Sequence, residues 1–301
     1  MSVIEWHDDL LATALRAPRP EDDKYSRGVL GIVTGSAKYP GAAVLGVEAA
    51  LRTGPGMVRF LGDAETARAV LARRPEAVTA DGRVQALLVG SGTDATTRSP
   101  GLSRRVRDAH RDGVPLVLDA GALGLVRELA AEEARPRTPV ILTPHARELS
   151  RLLAAADDPG GTGEDAWLAT VLADPARAAQ RAAERFGAIV LLKGSRTIVA
   201  APGIAARRLP AATPWLASAG TGDVLAGILG TLLAGAQADA EADAEAAGTV
   251  LALERLRDLA GAAARVHALT AERVSGGGPL LALELAEGVS RTIAAVAPGR
   301  C

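Results

Sequence analysis

Short apolar runs alternate with longer amphipathic stretches along most of the chain, from about residue 29 to 234. Gly28–Thr34, Gly56–Leu61, Gln85–Val89, Pro115–Leu118, Pro139–Leu142 and Ala188–Leu192 are brief and rich in Val, Ile and Leu, the pattern of buried strands. Between them, Ala42–Arg52, Ala64–Arg73, Leu102–His110, Ala122–Leu129, a stretch opening with Glu148–Leu153, and Arg177–Arg185 read as helices. Thr197–Ala201 follows Ala188–Leu192 so closely that the two predict a hairpin. Val224, Leu225, Ile228, Leu229, Leu232 and Leu233 recur at helical spacing, and Leu251–Leu269 and Leu280–Val296 predict two more helices around Gly276-Gly277-Gly278. Residues 1–27 read as a short helix and an extended lead-in. Residues 157–165 predict a loop, and residues 236–247, where Ala alternates with Asp and Glu, a solvated spacer or frayed helix rather than a metal site. This alternation predicts an α/β fold, with a mostly parallel central sheet and helices on both faces. No internal repeat is found, and one domain spanning 1–301 is expected.

Composition narrows the function. Hydrophobic residues make up 48% of the 301, enough for a sizeable core. A formal net charge of −1 and only 2% aromatic residues argue against nucleic acid as a partner. The one cysteine, Cys301, excludes an internal disulfide framework and a multi-cysteine zinc site. The first residues include Glu5, Asp8 and Asp9 and carry no long apolar run, so no signal peptide is read; no stretch predicts a membrane span, and a cytoplasmic location is expected.

Open α/β sheets bind ligands beyond the carboxyl ends of their strands. Ser36, Tyr39, Gly92, Asp119, His145, Lys193 and Asp223 all fall there. Gly220, Thr221 and Gly222 open a helix whose unpaired amides favour an anion. Asp223, in that first turn, either caps the helix or takes a proton from an attacking hydroxyl. His145 follows Thr143-Pro144 and either satisfies a local hydrogen bond or meets a ligand. Lys193 ends an apolar strand and is either a solvated hairpin lysine or a partner for phosphate. Asp119 could pair with a metal-bound water, but capping the following helix is the favoured reading. There is no Gly-x-x-x-x-Gly-Lys-[Ser/Thr] loop, no Gly-x-Gly-x-x-Gly after the first strand and no Gly-x-Ser-x-Gly elbow with a matching His.

Taken together, the segments KYSRGVLGIVTGSAKYPGAAVLGVEAALRTGPG (24–56), LLVGSGTD (87–94), PLVLDAGAL (115–123), VILTPHARELSRLL (140–153), VLLKGSRTIVA (190–200) and LASAGTGDVLAGILGTLLA (216–234) resemble the bacterial ADP-dependent NAD(P)H-hydrate dehydratases of the ribokinase-like superfamily. The resemblance implies a three-layer ribokinase-like fold. It implies ADP-dependent dehydration of the S-epimer of NADH or NADPH hydrate, with release of AMP and phosphate. It assigns Asp223 as the base, Ala42, Ala43, Gly92, His145 and Asp223 to the hydrate, and Lys193, Gly194, Ser195, Arg196, Thr197 and Gly222 to the adenine nucleotide. Gly220, Thr221 and Gly222 would form the anion hole. Mg²⁺ is implied on the phosphates, with no dedicated protein ligands, and a homotetramer is implied as the assembly. Only about 23 residues precede the match, too few for the epimerase domain many relatives carry, so a separate epimerase is expected as the pathway partner. The segment 154–175, with Trp167, and the acidic spacer 236–247 depart from the pattern, and no site residue is assigned beyond 227.

Two other readings use the same residues. A small-molecule kinase of the superfamily, acting on a hydroxymethylpyrimidine or hydroxyethylthiazole alcohol, would share the Asp and the anion loop. A nucleotide-binding regulator without turnover would have no need of an intact Gly-Thr-Gly-Asp.

Overall fold

The computed structural model describes residues 2–93, 98–131, 138–157, 163–243 and 251–297. Among these residues, nine strands form one sheet: β1 (Val3–Glu5), β2 (Val29–Val33), β3 (Met57–Phe60), β4 (Ala86–Val89), β5 (Leu116–Leu118), β6 (Val140–Leu142), β7 (Ile189–Leu192), β8 (Ile198–Ala201) and β9 (Ile204–Arg208). Their order is β1-β9-β8-β7-β6-β5-β4-β2-β3. From β3 through β7 every pairing is parallel, β8 runs antiparallel to both neighbours, and β1 is parallel to β9. The helices are α1 (Leu11–Ala14), α2 (Pro40–Thr53), α3 (Ala64–Arg73), α4 (Pro100–Arg111), α5 (Leu125–Ala131), α6 (Ala146–Asp157), α7 (Glu164–Ala173), α8 (Pro175–Phe186), α9 (Thr221–Ala242), α10 (Leu253–Ser275) and α11 (Ala282–Val296). None of the described helices is long and apolar enough to cross a membrane.

The period-2 geometry of a strand explains why the central runs are apolar throughout. Leu30, Ile32, Leu88, Val117 and Ile141 turn to one face and pack with Val47, Ile228, Ala263 and Val289 of α2, α9, α10 and α11. Leu87, Val89, Leu116, Leu118 and Leu142 turn to the other and meet Val106, Leu125, Leu149 and Ala182 of α4, α5, α6 and α8. The result is the expected α/β three-layer architecture. One close approach positions the site. A Cβ at Gly227 would lie 2.3 Å from the Gly46 carbonyl, so α9 and α2 cross with their backbones almost touching. That crossing holds both helix starts near the carboxyl edge of the sheet.

Four features depart from the pattern read in the sequence. The edge strand β1 forms within the lead-in, and β9 forms from a run that ends in Arg207-Arg208. Both are partly exposed, β1 at the edge of the sheet and β9 one strand in from it, and neither has an apolar run to announce it. Helix α7 forms beside the expected loop and carries Trp167, whose ring lies 4.7 Å from the Arg181 guanidinium of α8. Helix α9 continues to Ala242 with Ala236 and Ala238 buried, so the first half of the acidic spacer is helix with one face in the core. Residues 244–247 of that spacer, 158–162 of the expected loop, and Asp94 lie outside the described residues.

Candidate active site

Asp119 directly follows strand β5, and its side chain is buried. Its carboxylate accepts hydrogen bonds from Ser91 Oγ (2.8 Å), Thr143 Oγ1 (2.7 Å) and Lys193 Nζ (3.0 Å). These donors come from the ends of β4, β6 and β7, so one acid ties four strand ends together. The helix-cap reading of Asp119 is therefore wrong: the turn after it has no side-chain cap, and the carboxylate is committed inward. The next residue, Ala120, sits at φ 44°, a left-handed conformation that costs a non-glycine residue about 1 kcal/mol or more. Burial alone would raise the Asp119 carboxyl; the Lys193 ammonium and the Thr143 and Ser91 hydroxyls outweigh it and hold the group below its ordinary range.

Lys193 also lies 3.8 Å from Glu148 Oε2. Burial opposes its charge, but Asp119 and Glu148 more than compensate and raise its pKa. It is neither a solvated hairpin lysine nor a free cation: its ammonium is already paired with carboxylates. Its Nζ lies 3.6 Å from where a Cβ on Gly222 would sit, which places the charge directly under the start of α9.

That helix begins at Gly220, with φ 91° and no side-chain cap. Thr221 Oγ1 donates to the carbonyls of Leu216 and Ser218 and braces the turn from below. The amides of Gly222 and Asp223 have no carbonyl partner among the described residues, as expected of a first helical turn. Asp223 does not cap its helix. Burial, and then the negative charge of Asp119, push its pKa up to about 6, with Lys193 and Ser91 pulling part of the way back. Two carboxylates thus share one site with opposite shifts.

The opposite wall comes from the loops after β2 and β4. Gly92 has φ 67°, and a Cβ there would come within 2.5 Å of the Ala42 Cβ, so the β4 loop lies flat on the start of α2. Ser36 Oγ donates to the Gly92 carbonyl at 2.8 Å, and Tyr39 stands half exposed beside it. Ala42 lines this approach almost buried; Ala43 is wholly buried and packs behind it. The His145 ring is 50% exposed while its Nδ1 accepts from the Glu148 amide (3.2 Å) and its own amide donates to Glu148 Oε2 (2.8 Å). This reciprocal pair caps α6, Nε2 lies 3.5 Å from Glu148 Oε2, and half of the ring stays exposed. The local hydrogen bond and an available ligand face therefore coexist.

Gly194, Ser195 and Arg196 form the exposed β7–β8 turn, with Thr197 half-buried at its exit. The Lys193 amide donates to the Pro144 carbonyl at 2.8 Å, joining this turn to the His145 loop. All the strand-end residues singled out in the sequence thus lie along one edge of the sheet. Among the described residues, no group of three or more His, Cys, Asp or Glu is arranged to hold a metal. A hollow of about 850 Å³ lies at the other ends of α2 and α9, beside Thr53, Gly235 and Asp239, and contains none of these side chains.

Ser91, Thr143, Glu148 and His267 escaped sequence reasoning as contributors. The first three lay inside recognised motifs but earned attention only through their partners. His267, on α10, carries no local signal; it is buried, and its Nε2 lies 2.8 Å from the Thr221 carbonyl.

A family described as NAD(P)H-hydrate dehydratase matches residues 30–274. A bifunctional NAD(P)H-hydrate repair enzyme of Mycobacterium leprae is 40% identical over 224 residues, which is 72% of this chain and 43% of that enzyme. An ADP-dependent (S)-NAD(P)H-hydrate dehydratase of Neisseria meningitidis serogroup B is 37% identical over 246 residues, 76% of this chain and 79% of the other. The chain thus spans less than half the length of the bifunctional relatives. An ADP/ATP-dependent NAD(P)H-hydrate dehydratase of Bacillus subtilis, co-crystallized with ATP/Mg²⁺, superposes with a TM-score of 0.77 at 23% identity, covering 98% of this chain and 99% of that one. The fold is shared over nearly the whole length, and on the sequence match the chain belongs to the NAD(P)H-hydrate dehydratase family.

Proposed function

We propose that this chain dehydrates the S-epimer of NADH or NADPH hydrate, using ADP and releasing AMP and phosphate. The observation that carries the reading is Asp223: a carboxylate with its pKa raised to about 6, in the first turn of a helix with free amides, beside a paired lysine. Hydroxide is a poor leaving group. The ring hydroxyl of the hydrate attacks the β-phosphorus of ADP, Asp223 takes its proton, and the bond from that phosphorus to AMP breaks. The C–O bond then breaks with phosphate leaving, driven by the electron pair of the ring nitrogen, and loss of a ring C–H proton restores the double bond. The amides at Gly222 and Asp223 stabilise charge on the phosphoryl group in flight.

Hydrate would lie along Ala42, Gly92 and His145, and nucleotide along Lys193–Thr197 and Gly222. These two strips meet at Asp223. Mg²⁺ fits this donor set as an ion carried by phosphate oxygens and water, because Asp119 and Glu148 are already engaged and no three-ligand cage exists among the described residues. It would neutralise phosphate charge that Lys193, already paired with Asp119 and Glu148, cannot.

Purified protein incubated with NADH hydrate and ADP is expected to restore absorbance at 340 nm, with AMP and phosphate formed in equal amounts. Absent recovery, together with phosphorylation of a hydroxymethylpyrimidine or thiazole alcohol, would replace this reading with the kinase.

A further inference from the structure

His267 lies on α10, a helix outside the region where sequence reasoning assigned any site residue. The ring is buried, and its Nε2 sits 2.8 Å from the Thr221 carbonyl oxygen. A carbonyl only accepts, so the geometry assigns the proton to Nε2. Burial pushes the ring down to about 4, so it remains neutral and keeps that N–H at ordinary pH.

The acceptor matters because of the peptide it belongs to. The Thr221 carbonyl and the Gly222 N–H are two ends of one planar, resonance-coupled unit. A hydrogen bond received at the oxygen draws electron density toward it and makes the N–H a stronger donor, by about 10–30% per bond. Gly222 N–H is one of the first-turn amides without a carbonyl partner among the described residues. The same bond fixes the plane of that peptide, while the Thr221 hydroxyl anchors its other side on Leu216 and Ser218. Gly220 before it has φ 91° and, having no side chain, resists little.

We propose that His267 is a positioning residue for phosphoryl transfer: through the Thr221–Gly222 peptide it aims and polarises the Gly222 amide toward the phosphoryl group. This rests on the dehydratase reading only in taking a phosphoryl group as the anion. His267 itself touches neither substrate nor nucleotide.

The decisive comparison is His267→Gln against His267→Asn. The Gln amide reaches the position of Nε2, whereas the Asn amide stops short; His267→Phe, which keeps the ring and removes the donor, is a third variant. With the protein shown folded by circular dichroism at the assay temperature, kcat is expected to fall about tenfold in Asn and Phe and to return to within about threefold in Gln. KM for ADP should change by less than about threefold, because the strengthened bond counts most as charge develops. In a ¹H–¹⁵N spectrum the Gly222 amide proton should move upfield in Asn and Phe and recover in Gln. A purely structural role would lower Tm and leave kcat of the folded protein and the rescue by Gln without effect. Equal kcat in Gln and Asn, or an unmoved Gly222 amide, overturns the proposal, and the Gln–Asn pair decides it if Phe does not fold. Wild-type protein that fails to restore NADH while the Gly222 amide responds would sink the dehydratase reading and leave this inference standing. Normal wild-type turnover with indifferent variants would do the reverse.

Discussion

The strand-end floor of the site and the helix start above it each present an aspartate, and the two are treated in opposite ways. Asp119 below is enclosed by Ser91, Thr143 and Lys193, all donating to it. Asp223 above has burial and a like-charged neighbour and only partial relief from Lys193. Residue type is the same, and depth of burial is not what separates them, since the better buried of the two is the stronger acid. Partnering separates them. A fully satisfied carboxylate holds structure, whereas one left short of donors near neutral pH is available to move a proton.

The largest effects should come from breaking the floor. Asp119→Ala leaves Lys193 with only the longer Glu148 contact, takes the partner of the buried Ser91 hydroxyl and leaves Thr143 with only its 3.4 Å contact to the Leu118 carbonyl; a loss on the order of 3 kcal/mol, read from urea denaturation, is expected. A loss below about 1 kcal/mol would mean that Asp119 does not hold the strand ends together. Next is Asp223→Asn, which should lower turnover at least about 10²-fold while calorimetry still detects ADP binding. Turnover within a few-fold of wild type would remove Asp223 from the role of base.

The same substitution has an opposite and smaller effect on stability. The folded pKa of Asp223, about 6, lies above its ordinary 3.8, so the folded state binds protons more tightly than the unfolded state. Ionising Asp223 therefore works against the fold, and stability falls as pH rises from about 4 to 6. Asp223→Asn should raise Tm at pH 8 and leave it unchanged below pH 4, a gain on the order of 1–2 kcal/mol once partial solvation is allowed for. Asp119 has the reverse sign: its depressed pKa supports the fold at neutral pH, and that support is lost as pH falls through the folded value. In activity, only ionised Asp223 accepts a proton, so kcat/KM, which follows the free enzyme, should rise through about pH 6. Removing the Asp119 charge in Asp119→Asn should move that limb to lower pH, provided the protein folds. A limb that stays put would show that the two carboxylates do not sense each other.

Much of this was legible in the sequence, for identifiable reasons. The central strands are buried on both faces and so are apolar at every position, which makes β2, β4, β5, β6 and β7 easy to read. Strands β1 and β9, the last two on one side of the sheet, carry Glu5, Arg207 and Arg208, and their pairing is a tertiary fact without a local pattern. Asp223 was legible because glycines and an apolar helix frame it. Asp119 was misread because a carboxylate after a strand looks locally like a cap. What occupies it, Ser91, Thr143 and Lys193, arrives from three other strands. His267 was unreadable for the same reason at greater range, being 46 residues from the carbonyl it bonds.

The smallest expected effect tests the same rule at His145, where one side chain carries two tasks. Its Nδ1 and amide pair with Glu148 to cap α6, its Nε2 lies 3.5 Å from the same carboxylate, and the ring is half exposed at the sheet edge where hydrate is proposed to lie. His145→Ala removes the side-chain half of the capping pair and should cost about 1 kcal/mol. His145→Ser restores an oxygen acceptor three residues before Glu148, the usual composition of a capping box, and should return stability to within about 0.5 kcal/mol of wild type. Activity should part from stability at this point, because a serine cannot replace an imidazole against a nicotinamide ring. KM for the hydrate is therefore expected to stay raised in Ser as in Ala while KM for ADP holds. If Ser recovers the hydrate KM along with the cap, the imidazole makes no contact of its own, and His145 belongs with Asp119 among the groups whose partners are wholly internal.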